Sequence, residues 1–351
     1  MPKLSLPLAV ALAALLTPLV ALHAEPALPL SLSQLTWFNR AGREIGRIGP
    51  LADYANIELS PDGQTAAAAV NDRAVQTHDI WMYASEGGAR TRFTTEAADE
   101  NWLVWSADGR RVVFNSFAPA ALDLLEGPNA GTTGRHVLLS DQDGKWPVSW
   151  SPDGRFILYV VNSEETGNDI WVLPLTGNRR PYPFQNSRAS ENWAAFSPDG
   201  HWVVFSSTET GTSEVYASRF SGAGEKIRIS ADGGSQARWR SNGEIVYLAP
   251  HGELMAATLR TLGDDLEMDT VEPLFAITYP YDAYHAFDIT PDGQRLLVNR
   301  LVISPDAPTL SASAVPRHSL RPGSSSARLG KPCYTHDVTL VPPRLFCLRQ
   351  F

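Results

Sequence analysis

Between residues 25 and 332 this chain has no cysteine; its two thiols, Cys333 and Cys347, both stand near the C-terminal end. Whatever folds in that interval does so without a disulfide, which suits export into an oxidising compartment without relying on it. Long apolar runs are equally scarce. One spans Leu4 to Leu22, behind Lys3 and ahead of His23-Ala24, so residues 1–24 read as a secretory signal or, if uncleaved, an N-terminal membrane anchor. No later run is long enough to cross a bilayer, so membrane contact is expected only through that segment. Positive charge is short as well. Of the total of −9, Lys3 contributes one positive charge and residues 301–351 a surplus of four, from six Lys/Arg against Asp306 and Asp337, leaving about −14 for residues 25–300. A surface of that sign repels phosphate and anionic lipid, which excludes nucleic acid as a partner of the body.

Catalytic signatures are missing too. There is no G-x-S-x-G elbow and no sequence motif for a Ser-His-Asp triad. Five body histidines, His78, His136, His201, His251 and His285, include no pair at metal-ligand spacing. No catalytic residues, no metal and no cofactor are therefore expected.

What the sequence does have is a repeat. Leu59-Ser60-Pro61-Asp62-Gly63 recurs as Trp105-Ser106-Ala107-Asp108-Gly109, Trp150-Ser151-Pro152-Asp153-Gly154, Phe196-Ser197-Pro198-Asp199-Gly200, Trp239-Arg240-Ser241-Asn242-Gly243 and Ile289-Thr290-Pro291-Asp292-Gly293. The Asp or Asn positions lie 46, 45, 46, 43 and 50 residues apart, a period that belongs to propeller blades. Proline presets φ and glycine accepts a positive φ, so each phrase predicts a tight turn. A β-prone run follows, as in Arg111–Phe114, Arg155–Tyr159, His201–Phe205, Glu244–Tyr247 and Arg295–Val298. Ala66–Ala69 is the weakest of these runs and is accepted on spacing. One aspartate per repeat is too few oxygens for calcium, so a turn role is expected for each.

A third strand opens on an acidic residue at Asp79, Asp169, Glu214 and Glu253, and a fourth follows in runs such as Thr91–Thr94 and Lys226–Ile229. Asp79 and Asp169 are expected to bond backbone within their blades. In the second repeat, Asp123-Leu124-Leu125 running into Glu126-Gly127-Pro128 predicts a short or irregular outer half. After the sixth hairpin no third and fourth strands follow, whereas Leu35–Phe38 and Arg43–Gly46 look like such a pair without a hairpin. The prediction is an all-β, six-bladed propeller over residues 35–300, four antiparallel strands per blade, with the last blade closed by residues 35–49. Residues 301–351, with seven prolines and the Ser-rich stretch 323–328, read as a disordered tail. The body is expected to be a monomer.

The S-P-D-G hairpins, the Asp-Ile-Trp strand at Asp79 and Asp169, and the Trp or Phe before the serine resemble the TolB-type propeller repeat across about residues 35–300. Leu35–Gly46, Asp169–Leu175 and Gly233-Gly234-Ser235 ahead of Arg238-Trp239-Arg240 further resemble the extracytoplasmic propeller of some bacterial serine/threonine receptor kinases. The kinase motifs themselves are absent, so that resemblance implies a sensor or scaffold without kinase activity. The repeats are also similar to the propeller of prolyl-oligopeptidase-type enzymes, but too few residues follow 300 to form a hydrolase domain.

The resemblance implies a ligand site at the channel mouth, on the loops joining one blade to the next. Those loops carry Asn56, Glu100, Asn101, Trp102, Trp146, Glu191, Asn192, Trp193, Gln236, Tyr284 and His285. Amides, carboxylates and aromatics converging there could hold a protein or peptide partner or a small polar ligand. The plainer alternative is that the amides and acids cap turns while the tryptophans pack between blades. Two other functions stay open at this point: a hydrolase or lyase assembled across blades around His285, Glu100 and Glu191, and a kinase-less remnant of a receptor.

Overall fold

The turn phrase builds one local structure five times over. Ser60 Oγ donates to Asp62 Oδ1 at 2.6 Å and accepts from the Thr65 amide at 2.9 Å, while Asp62 Oδ1 also accepts from the Gln64 amide at 3.0 Å. Gly63 completes the turn at φ +68°, where any side chain would be strained. The same hydroxyl-to-carboxylate bond recurs at Ser106/Asp108, Ser151/Asp153, Ser197/Asp199 and Thr290/Asp292. Hydroxyl donation, followed by a backbone N–H bond, holds the Asp62, Asp108 and Asp292 carboxyls below their ordinary range. The fifth phrase keeps the turn differently: Asn242 Oδ1 accepts from the Glu244 amide at 3.1 Å, and Arg240 stands where the hydroxyl would be. Asp153→Ala should therefore cost about 1 kcal/mol, read as a lowered urea midpoint, with Asp153→Asn recovering most of the loss.

This computed structural model describes residues 32–302, apart from 73, 119–120, 132, 222–225, 263–264 and 281–282. These residues belong to one unit, Met1–Ala307; the second, Pro308–Phe351, lies outside the described residues. So do the expected signal at 1–24 and all of the expected tail beyond Val302.

Among the described residues, twenty-four strands grow from the turns in six four-stranded antiparallel sheets. The chain opens with β1 (Ser33–Asn39) and β2 (Glu44–Ala52). Blade one then follows as β3–β6 at Tyr54–Leu59, Thr65–Asp72, Thr77–Ala84 and Arg90–Arg92. Blade two is β7–β10 at Leu103–Trp105, Arg111–Ala118, Ala121–Pro128 and His136–Asp141. Blade three is β11–β14 at Lys145–Trp150, Phe156–Ser163, Gly167–Pro174 and Tyr182–Gln185. Blade four is β15–β18 at Glu191–Phe196, Trp202–Ser207, Glu214–Arg219 and Ile227–Arg228. Blade five is β19–β22 at Ser235–Trp239, Glu244–Leu248, Glu253–Leu262 and Asp265–Ala276.

The sixth sheet runs β2-β1-β24-β23, where β23 is Phe287–Ile289 and β24 is Arg295–Leu301. Here β1 pairs antiparallel with β24 from Ser33↔Leu301 to Asn39↔Arg295. N-terminal strands thus close the ring, and β24 presents no open edge. Arg40, in the turn after β1, forms a two-point ion pair with Glu244 of blade five at 2.6 and 2.9 Å and donates to Gly293 O at 3.0 Å.

Among the described residues six apolar clusters form the core, each centred on the interface between two neighbouring blades. This arrangement explains why Ala66–Ala69 is a strand despite its weak propensity. Ala66 and Ala68 meet Trp37, Tyr54 and Tyr83 on one face, while Ala67 meets Phe93, Trp105 and Phe114 on the other. Large side chains from both neighbours fill the space that the alanines leave, so tertiary packing overrides propensity.

Two local expectations fail. Blade two's outer half is complete: β9 runs unbroken through Gly127 to Pro128, pairing with β8, and β10 pairs back with one bulge between Val137 and Leu139. Pro128 is tolerated because it ends the strand. Asp79 and Asp169, expected to bond backbone, instead accept from side chains: Arg92 Nη2 at 2.7 Å and Thr166 Oγ1 at 2.8 Å.

Candidate functional site

Each of β3, β7, β11, β15, β19 and β23 ends its sheet, and β23 touches β3, β7 touches β11, β11 touches β15 and β15 touches β19, so these are the innermost strands of the blades. At each of them one repeat position stands two residues before the turn hydroxyl: Glu58, Val104, Ser149, Ala195, Arg238 and Asp288. Blades five, six and one thus place charge there, and blades two, three and four do not.

Those charges meet. Arg238 Nη2 donates to Glu58 Oε2 at 3.0 Å and to His285 Nδ1 at 2.7 Å, and its Nε lies 3.3 Å from Asp288 Oδ1. Arg240 Nη2 donates to Asp288 Oδ1 at 2.9 Å, while Asp288 Oδ2 accepts from the Leu59 amide at 2.7 Å. Burial pushes the Glu58 carboxyl up to about 8, against the opposing pull of Arg238. Burial, with Arg238 beside it, holds His285 well below its ordinary value. Because a guanidinium can only donate, Nδ1 of His285 is an occupied acceptor and the proton sits on Nε2. Neutral and engaged, that imidazole is a linchpin between blades five and six.

Above this cluster, the segment 284–286 lies across the loop-face mouth and is held from four other blades. The Tyr284 amide donates to Ala55 O at 2.6 Å, Trp193 Nε1 donates to Tyr284 O at 2.9 Å, and the Ala286 amide donates to Gln236 Oε1 at 2.7 Å. Trp102 lies 4.8 Å from the His285 ring, edge to face, and 5.5 Å from Tyr284. Trp193 and Gln236 take left-handed φ of 50° and 54° beside bulges in β15 and β19. Bulky residues hold that conformation only where their surroundings impose it; here both grip the same strap.

Of the residues expected at this mouth, Trp102, Trp193, Gln236, Tyr284 and His285 converge as described. The others serve their own neighbourhoods. Asn101 exchanges bonds with Asn115 and Asp99, and Asn192 Oδ1 accepts from the Trp193 amide at 2.8 Å. Asn56 is buried between blades one and two, and Trp146 packs edge-on to Phe117 at 5.6 Å. Glu100 accepts from Ser116 Oγ at 2.9 Å and Glu191 from Ser187 Oγ at 2.5 Å. Burial lifts Glu100 to about 7 and raises Glu191 as well. Among the described residues no hydrogen bond or ion pair joins either glutamate to His285, and no group of three His, Cys, Asp or Glu could hold a metal.

Glu58, Arg238, Arg240 and Asp288 were missed in the sequence, although the signal was there. When the six phrases are aligned, charged residues fall at a single inner-strand position that alternates with apolar neighbours, and blade five alone lacks the turn hydroxyl.

These features define the chain as an all-β, six-bladed propeller with four antiparallel strands per blade, closed by its N-terminal strands and carrying a buried charge cluster across blades five, six and one. No known protein family matches it as a family. Its fold is similar to a TolB-type protein of Agrobacterium tumefaciens, at 18% identity and a TM-score of 0.60, covering 78% of this chain and 100% of that one. It is also similar to TolB of Acinetobacter baumannii, at 15% identity and a TM-score of 0.53, covering 69% and 65%. Among curated proteins, YuxL of Bacillus subtilis strain 168, named an uncharacterized peptidase, is 26% identical over 161 residues. That match takes in 44% of this chain but spans only 22% of the relative. No helix among the described residues is long and apolar enough to cross a membrane.

Proposed function

We propose that this chain is an exported, non-catalytic binding propeller that recognises a protein or peptide partner, or a small polar ligand, at the loop-face mouth of its channel. The observation that carries this reading is the strap at Tyr284–Ala286, fixed by the strained Trp193 and Gln236 from separate blades, with Tyr284 and Trp193 keeping accessible surface. Aromatic groups on a preorganised support supply contact area at low entropic cost, as in protein interfaces. The fold shared with TolB-type proteins fits such a role, as does a receptor-kinase sensor lineage, and the acidic body argues for a partner that is not nucleic acid.

The test compares immobilised wild type with Trp193→Ala and Tyr284→Ala in capture from a periplasmic extract. A partner retained by the wild type should bind each variant at least tenfold more weakly while the melting temperature stays within a few degrees. An extract that yields no partner, or a partner held equally by both variants, would sink the proposal. The peptidase name of the Bacillus relative favours one second reading, a hydrolase built across blades around His285 with Glu100 and Glu191. Turnover in a peptide and glycan substrate screen, lost on His285→Ala, would establish it.

A further inference from the structure

The channel has a second end, on the face where the Pro-Asp-Gly turns meet. There a cavity of about 240 Å3 is lined by Pro61, Pro152, Pro198 and Pro291, with Trp150 at its side and Arg240 from blade five. Proline and tryptophan rings offer this cavity apolar contact, beside a polar wall that includes Ser60, Ser149, Ser197 and Ser241. Arg240 supplies the charge, and it does so by breaking the symmetry of the repeat. In five blades the equivalent residue is a serine or threonine whose hydroxyl is spent on its own turn. Blade five closes its turn without one, through the Gly243 amide to Arg240 O at 3.0 Å and the Glu244 amide to Asn242 Oδ1 at 3.1 Å. The guanidinium is therefore not needed by its turn.

Nor is it saturated. Of its donors, Nη2 reaches Asp288, whereas Nε finds no acceptor among the described protein groups. Asp288 is itself shared among Arg238, Arg240 and the Leu59 and Ile289 amides. Burial raises Glu58, the other carboxyl in the cluster, against the pull of Arg238, so it is a weakened counter-charge for the guanidinia. Two guanidinia then face less than two full negative charges, leaving a positive surplus beside Arg240 on the wall of a cavity in an otherwise acidic body. A planar monoanion matches a guanidinium edge, and a single surplus charge suits one negative charge better than two. The volume falls below the roughly 300–1,000 Å3 of sites for drug-sized ligands.

We infer that the turn-face cavity binds a carboxylate carried on a compact apolar group, with Arg240 as the anchoring cation. Two sources share that chemistry: the C-terminal residue of a peptide and a free aromatic acid. This site lies at the opposite end of the channel from the strap, so its fate is separate from that of the loop-face reading.

Calorimetry on the full chain at pH 7 tests it with N-acetylphenylalanine, its C-terminal amide, and an alanine tetrapeptide ending in a free phenylalanine. The acid should bind at least tenfold more tightly than the amide, and Arg240→Gln should erase that preference. Because Arg240→Gln also disturbs Asp288, a second variant is needed. Ser241→Trp, at an exposed turn position on the cavity wall, leaves the Arg240–Asp288 pair in place and should weaken the acid at least tenfold. Tighter binding of the tetrapeptide than of the acetylated residue identifies a peptide end; equal or weaker binding identifies the free acid. Acid and amide binding alike, neither binding at all, or acid binding that survives Ser241→Trp would each overturn the inference.

Discussion

A protein carrying Trp37→Ala should lose about 3–5 kcal/mol of stability, the range for removing a large aromatic from a packed core. Trp37 is 4% exposed in β1, faces the blade-one core beside Leu35 and Ile48, and carries the Arg295 guanidinium 5.0 Å above its ring. Its effect exceeds that of an ordinary core residue because β1 is the latch of the ring. Losing its packing weakens the pairing with β24, the contact that turns a row of blades into a closed circle. Deleting residues 25–49 takes the argument to its limit. β24 would then present unpaired N–H and C=O groups along its length, and the shortened chain should aggregate or fail to melt cooperatively. Urea unfolding followed by tryptophan fluorescence, with light scattering for the deletion, checks both. A monomer of unchanged thermal stability after the deletion would refute the closure as the source of stability.

Asp288→Asn should be nearly as damaging, at about 3–5 kcal/mol, because it leaves Arg238 and Arg240 buried without their shared counter-charge. An arginine cannot relieve such a site by giving up its proton. Glu58 responds differently, since a carboxyl can. Its folded value near 8 lies above the ordinary unfolded value of about 4.3, so the folded state holds a proton that the unfolded chain releases. That contribution is fully present below about pH 4.3 and is lost as pH rises through 8. Other buried groups titrate nearby: His285, held well below its ordinary value, costs stability as pH falls below about 6.5, and Glu100 near 7 adds its own slope. Glu58→Gln isolates one group from the rest. Gln keeps an acceptor for Arg238 and does not ionise, so its stability relative to wild type should climb between about pH 5 and 8 and level off above. Urea midpoints across that range provide the measurement; a constant difference would mean that Glu58 is ionised in the folded protein.

Much of this architecture can be read along the chain because propeller repeats are local. A hydroxyl, a proline, an aspartate and a glycine within five residues satisfy one another without help from elsewhere, as Ser60 to Gly63 shows. Their period then counts the blades. The borrowed strands at Leu35–Phe38 and Arg43–Gly46 were visible for the same reason, as a half-blade without a hairpin. Blade two misled because Glu126-Gly127-Pro128 looks like a break, and only its pairing with Arg111–Val113 reveals a strand that ends at proline. The site was harder. Asn101 and Trp102 stand side by side with the same residue types as Asn192 and Trp193, yet Trp193 takes a left-handed turn to reach Tyr284 while Trp102 lies against His285.

Local chemistry thus accounts for the six turns, the blade count, a body without cysteine between residues 25 and 332, and the closing strands, since each is settled within a few residues or by simple repetition. Which side chains meet on the channel axis was left to the assembled ring. Glu58, Arg238 and Asp288 are 50 to 230 residues apart along the chain, and they become neighbours only because circular closure brings blade one against blade six. Burial in that closed interior, rather than residue type, is what raises Glu58, holds His285 down and leaves Arg240 with a donor to spare.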